Sequence, residues 1–261
     1  FGCELPASYI QAMAACPQPP VWINLEYLSA EDWVGGCHRL PSPRGALTKY
    51  FFFPGFTPDT GGVLIGHGLD RERRAFQSDP AACARFLATL GVPADGERET
   101  RVSLFCYPQA PVGALVDAWS AGEGRMRLIT FAGTPAAEAL AAHGLGQGSR
   151  NGRLAVSVVP FLSQDDYDRV LWACDWNFVR GEDSFVRAQL AGRPLVWQAY
   201  PQAGDAHRLK IEAFLARYQD DAAPGEAADL AGLWAVWNGF AARRRFSEAW
   251  AACNRAGGLA D

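Results

Sequence analysis

Apolar and polar positions follow two alternating rhythms along the second half of the chain. Short apolar, β-type runs lie at 102–107, 127–131, 154–159, 176–179 and 195–200. Between them, 112–121, 135–143, 164–173 and 185–191 carry the apolar periodicity of helices with one buried face. Start signals support the helices. Thr134 precedes Pro135, giving an N-cap with proline at the first helical position. Ser163 precedes Gln164-Asp165-Asp166, a cap followed by acids that suit the positive end of the helix dipole. Strands separated by such helices make βαβ units, hence a parallel sheet with helices on its faces. The predicted class is α/β, with this unit at 75–230.

The first part reads as a smaller α/β piece. A strand is expected at 21–28, with Ser29 capping a short helix through Trp33. A strongly aromatic strand at 49–53 runs into the Gly/Pro-rich loop 54–62. Two strands cannot make a stable doubly wound domain by themselves. The chain also begins at Phe1 rather than methionine, so further N-terminal sequence is expected. The stretch 66–93 reads as a polar crossing followed by a helix at 80–90. A surface loop is expected at 220–228, then one or two helices over 230–256 bearing Trp234, Trp237 and Trp250.

Composition narrows the classes. The 261 residues contain no run of about 18 apolar positions, so no membrane span is expected. Acids outnumber bases, 28 to 24, and the net charge of −4 argues against a nucleic-acid binder. Arg243-Arg244-Arg245 is read as a solvated helix face. The seven cysteines, Cys3, Cys16, Cys37, Cys83, Cys106, Cys174 and Cys253, are odd in number and form no C-x-x-C pair. That excludes a disulfide framework and a zinc signature. It fits a reducing, cytoplasmic setting, with no signal peptide visible. The four histidines, His38, His67, His143 and His207, show no metal-ligand spacing. The glycine-rich 144–148 follows a helix rather than a strand, which is the wrong context for a nucleotide loop.

One segment carries the most chemistry. The strand ending at Arg180 turns through Gly181-Glu182-Asp183 into a helix that starts at Ser184-Phe185. In open α/β sheets ligands bind beyond the carboxyl ends of strands. A helix start there offers free N–H groups and a positive dipole end to a phosphate. Arg180 adds a cation for a leaving diphosphate, and Glu182 a carboxylate at the mouth. An N-cap acid with a surface ion pair accounts for the same pattern. At the neighbouring strand end, Phe161 and Tyr167 are suited to stack a base and Gln164 to hydrogen-bond its edge; ordinary capping and core packing also fit. Tyr107 points to the same edge, and a loop-packing tyrosine fits equally well. Asp165-Asp166 resembles a metal-holding pair, but capping explains it better.

Longer runs resemble a known family. They are 160–168 (Pro-Phe-Leu-Ser-Gln-Asp-Asp-Tyr-Asp), 171–175, 177–189 (Asn-Phe-Val-Arg-Gly-Glu-Asp-Ser-Phe-Val-Arg-Ala-Gln), 22–31 and 49–57. The chain is similar over nearly its whole length to EarP, the family of protein-arginine rhamnosyltransferases that modify bacterial translation elongation factor P. The resemblance implies a GT-B fold, two Rossmann-like domains facing a cleft. It places the remainder of an incomplete N-terminal acceptor-side domain at 1–74, the nucleotide-sugar domain at 75–230, and C-terminal helices at 231–261 packing back toward the N-terminal part. It implies inverting transfer of rhamnose from dTDP-β-L-rhamnose to an arginine of elongation factor P, with no metal or cofactor, no nucleic acid and no membrane. Tyr107, Phe161, Gln164 and Tyr167 would then hold the thymidine half. Where the family often has phenylalanine, Tyr167 keeps the ring. Arg180, Asp183 and Ser184 would hold the diphosphate region, and Glu182 would be the carboxylate needed for turnover. A general base is expected in the family's N-terminal segment, absent from this sequence. The rival readings are a GT-B transferase or epimerase acting on a small molecule, and a non-catalytic sugar-nucleotide-binding module.

Overall fold

A parallel sheet organises the second half of the chain, as the alternation predicts. In the computed structural model, which describes residues 5–93, 99–220 and 222–255, two compact units are resolved. Cys3, position 221 of the expected 220–228 loop, and Ala256 lie outside the described residues. The second unit comprises 66–203 and 219–261, the first 1–65 and 204–218. By compactness the chain divides at 65/66, and 204–218 groups with the first unit.

The second unit contains β4 (Thr100–Leu104), α5 (Val112–Ala121), β5 (Met126–Phe131), α6 (Pro135–Ala142), β6 (Arg150–Asn151), β7 (Leu154–Val159), α7 (Gln164–Ala173), β8 (Trp176–Arg180), α8 (Asp183–Leu190) and β9 (Leu195–Gln198). The sheet order is β6-β7-β5-β4-β8-β9, parallel except for the short β6. Strands with both faces covered need apolar residues at successive positions. All six residues of β5 are buried. Both caps expected in this unit form: Ser163 Oγ accepts the Asp166 N–H at 3.2 Å and Thr134 Oγ1 that of Ala137 at 3.3 Å.

One face of the sheet packs on α7 and on α4 (Pro80–Thr89), through Ile129, Phe131, Val159, Val170 and Leu87. The other packs on α5, α10 (Pro224–Trp237) and α11 (Phe246–Arg255). There Phe178 meets Trp237 edge-on at 4.7 Å and Trp119 at 6.0 Å, and Trp119 meets Trp250 at 5.0 Å. The tryptophan-rich C-terminal helices thus close the second unit's own core. The helix α10 starts at Pro224, inside the expected 220–228 loop, because proline is well placed in a first turn.

The polar stretch before 80 is a helix, α3 (Leu69–Gln77), rather than a crossing. Its charges pair one turn apart, Asp70 with Arg73 and Arg74, as on an exposed helical face. Gln77 Nε2 then donates to Trp172 O at 3.3 Å and Ala191 O at 3.0 Å, tying α3 to the ends of α7 and α8.

The first unit holds α1 (Ala7–Ala14), β1 (Trp22–Leu25), α2 (Trp33–Cys37), β2 (Pro41–Arg44), β3 (Leu47–Phe52) and α9 (Ala206–Tyr218). Its sheet runs β1-β3-β2, with β1 and β3 parallel. The hairpin β2–β3, turning at Gly45 with φ 63°, escaped the sequence reading because two prolines interrupt its first strand. Ser29 does not cap a helix. Its hydroxyl closes a local turn on Glu31, donating to Oε2 at 2.9 Å and accepting the N–H at 3.1 Å, and α2 begins only at Trp33.

Candidate functional site

Four strand ends build a cavity of about 200 Å³ at the carboxyl edge of the larger sheet. Phe105 follows β4, Phe131 ends β5, Phe161 to Ser163 follow β7, and Asp183 and Ser184 follow β8; Gln164 and Tyr167 of α7 complete the lining. Phe105, Phe131 and Tyr167 form an edge-to-face cluster, with centroids 5.3 to 6.2 Å apart. Phe161 stands at the rim, 78% exposed, with its ring open to a ligand. The cavity therefore has an aromatic floor, an exposed ring at its rim, an amide from Gln164, and the start of α8 as its polar end.

The turn beside it is tightly held. Gly181 takes φ 65°, which favours glycine, and a Cβ there would sit 3.1 Å from the Tyr107 hydroxyl. Its N–H donates to Gln198 O at 3.1 Å, and its carbonyl accepts the indole N–H of Trp197 at 2.7 Å. Trp197 stacks on Phe185 at 3.9 Å, so the turn rests on a buried aromatic pair. Gln198 Oε1 also accepts the Tyr107 N–H at 2.7 Å, which ties the ends of β4 and β9 together.

The charges cluster at this turn. The Arg180 guanidinium lies over the rings of Phe105 and Tyr107, at 4.3 and 4.7 Å from their centroids. Burial pushes the Tyr107 phenol above its usual range, against the pull of Arg180. Glu182 and Tyr200 lie within electrostatic reach of the same hydroxyl, and Tyr200 meets Tyr107 edge-on at 5.6 Å. Glu182 occupies the N-cap of α8 yet makes no capping hydrogen bond, so the capping explanation for its carboxylate does not hold. Burial also raises the Tyr167 phenol, and lifts the Cys106 thiol to about 12, so this neighbouring cysteine is no nucleophile.

All eight residues singled out in the sequence therefore meet at one edge. Phe161, Gln164, Tyr167, Asp183 and Ser184 line the cavity, while Tyr107, Arg180 and Glu182 form the adjoining cluster. The acid pair separates by role: Asp166 engages Ser163 at 3.1 Å and Arg169 at 2.8 Å. Among the described residues no group of three or more His, Cys, Asp or Glu is arranged to hold a metal. Sequence reasoning missed Phe105, Phe131, Gln198 and Tyr200. The usable signal was their position at or just past strand ends, but side chains there read as core.

A larger cavity, about 590 Å³, lies within the first unit. Glu31, Asp32 and Asp59 line it beside His38, Arg39 and Arg217. Arginines partly balance those acids, and no exposed ring in the lining stands ready to stack a base. The smaller, ring-walled cavity is the better nucleotide site.

Known proteins bear on this geometry. The family model "Elongation-Factor P (EF-P) rhamnosyltransferase EarP" matches residues 1–258. A protein-arginine rhamnosyltransferase of Pseudomonas putida is 48% identical over 246 residues, 91% of this chain and 64% of that protein. One of Pseudomonas aeruginosa is 44% identical, over 91% of this chain and 65% of that protein. The chain thus spans about two thirds of the length of these relatives. A solved structure, described as the structural basis for EarP-mediated arginine glycosylation of translation elongation factor EF-P, superposes with TM-score 0.72 at 35% identity, covering 97% of this chain and 71% of that one. The expected α/β, GT-B fold class is borne out.

Proposed function

This chain belongs to the EarP family, and from that premise we propose that it forms the donor-binding part of an inverting glycosyltransferase, moving rhamnose from dTDP-β-L-rhamnose to an arginine of elongation factor P. The observation that carries the reading is the ring-walled cavity opening at the start of α8, with Arg180 and Glu182 beside it. The thymine stacks on Phe161 against the floor of Phe105, Phe131 and Tyr167, and Gln164 bonds its edge. The diphosphate lies at Ser184 and the backbone N–H groups of the first turn of α8. Arg180, held by two rings, faces the charge that grows on the leaving diphosphate as the anomeric bond breaks.

The acceptor sets the harder problem. A guanidinium with a pKa above about 12 is a poor nucleophile while fully protonated and delocalised. A carboxylate beside it localises the charge, and a base takes a proton as the new C–N bond forms. Glu182 is the donor unit's acid for localising that charge, and the general base expected in the family's N-terminal segment takes the proton. No metal or cofactor is invoked.

The decisive experiment incubates the full-length protein with elongation factor P and dTDP-β-L-rhamnose and reads the factor by mass spectrometry. The expected result is a single deoxyhexose increment on an arginine. Donor hydrolysis or small-molecule transfer without that increment would move the chain to the rival transferase reading. Neither turnover nor hydrolysis would leave a binding module.

A further inference from the structure

The cavity's polar end contains an electrostatic contradiction. Asp183 lines it at the first turn of α8, where a diphosphate is to bind. An uncompensated carboxylate there repels that ligand. One side chain resolves this. Arg187, one turn along α8, donates from Nε to Asp183 Oδ2 at 2.9 Å and from Nη1 to Asp168 Oδ2 of α7 at 2.9 Å. Asp168 is almost fully buried and Arg187 mostly so, whereas Asp183 is largely exposed. Asp168 follows Tyr167 in α7, so the bridge joins the two helices that wall the cavity, at residues next to its lining.

We infer that Arg187 is a positioning residue for the donor: anchored on Asp168, it holds Asp183 in place and cancels its charge, so that the start of α8 accepts an anion. A surface ion pair at helical spacing contributes little and needs no third partner. Here the guanidinium is shared by a buried acid on a different helix, the arrangement that fixes orientation. Among the described residues, the other charges acting on the Asp168 carboxyl are those of Asp165 and Asp183, both acids, and Arg187 supplies the positive charge that it feels.

The inference rests on the nucleotide reading of the cavity, and the test separates the two. Calorimetry measures dTDP and the uncharged nucleoside thymidine against full-length wild type, Arg187→Gln, Asp183→Asn and the double variant. Arg187→Gln is expected to weaken dTDP about tenfold while thymidine stays within about twofold, because only the anion meets the exposed carboxylate. With Asp183→Asn already present, removing Arg187 should cost less than about threefold. Unchanged dTDP affinity in Arg187→Gln overturns the inference, as does equal weakening of both ligands or a full cost in the Asp183→Asn background. Should Arg187→Gln not fold, Arg187→Lys carries the test. It keeps the charge but cannot bridge both acids, so dTDP alone should weaken about threefold; parity with wild type overturns the inference. Wild-type protein that binds neither ligand would instead refute the nucleotide reading.

Discussion

Glu182 and Phe161 illustrate what a single residue can be asked to do. Glu182 stands at a helix start without capping it, beside the Arg180–Tyr107 pair. Glu182→Gln keeps its shape and removes the charge. Transfer to elongation factor P should fall at least about a hundredfold, the lower range for loss of a positioned acid–base group. The dTDP affinity should stay within about threefold, since this residue belongs to the acceptor chemistry. Near-normal turnover in that variant would remove Glu182 from the mechanism. Phe161 makes the opposite case. Its ring is exposed and therefore available, so Phe161→Ala should weaken dTDP by about 1–3 kcal/mol, the range for base–aromatic stacking. The folded unit should hardly notice, because little of that ring is buried; an unchanged dissociation constant would take Phe161 out of the site.

At the scale of elements, the junction of α7 and α8 has a pH signature. Burial pushes the Asp168 carboxyl above its usual 3.8, outweighing its bonds to Arg187. For Arg187 burial opposes the charge too, but its two carboxylate partners outweigh it and raise the guanidinium. The two shifts agree physically: the carboxylate sits on the dry side of the pair. Between 3.8 and the raised value the folded chain holds more protons at this site than the unfolded chain. Stability from Asp168 is therefore greatest below 3.8 and falls as pH rises through that window. Urea titrations over the acid range should show this slope in wild type and lose it in Asp168→Asn. An identical pH dependence in the two proteins would argue against a desolvated Asp168. The element pattern that built this junction was readable beforehand, since Ser163 capped α7 and the alternation placed β8 before α8. The tie through Arg187 was not, because it joins residues on two helices.

For the molecule as a whole, ligand and fold are linked. A nucleotide that binds only the folded second unit stabilises it, by about 2.7 kcal/mol at a hundredfold excess over its dissociation constant. Every tryptophan except Trp22 and Trp33 belongs to that unit, so urea unfolding followed by tryptophan fluorescence should report the shift with dTDP. No shift at saturating dTDP would contradict the proposed site. The α/β class, the parallel strands and two of the three expected caps, those of Thr134 and Ser163, could be read from the chain, because periodicity and capping are local properties that side-chain pattern records directly. The eight candidate residues came from strand ends and helix starts together with the family resemblance, which alone supplied roles for Asp183 and Ser184, and they gather at one sheet edge. The β2–β3 hairpin, the helical nature of 69–77, and the start of α10 at Pro224 were hidden by prolines and dense charge. Only tertiary structure decided that Phe105 and Phe131 floor a cavity as well as packing against the core, that Trp197 and Phe185 support the Gly181 turn, and that Arg187 stands between two acids. Each of those depends on which strands become neighbours, and the order β5-β4-β8-β9 brings together residues far apart in sequence through contacts that no local pattern encodes.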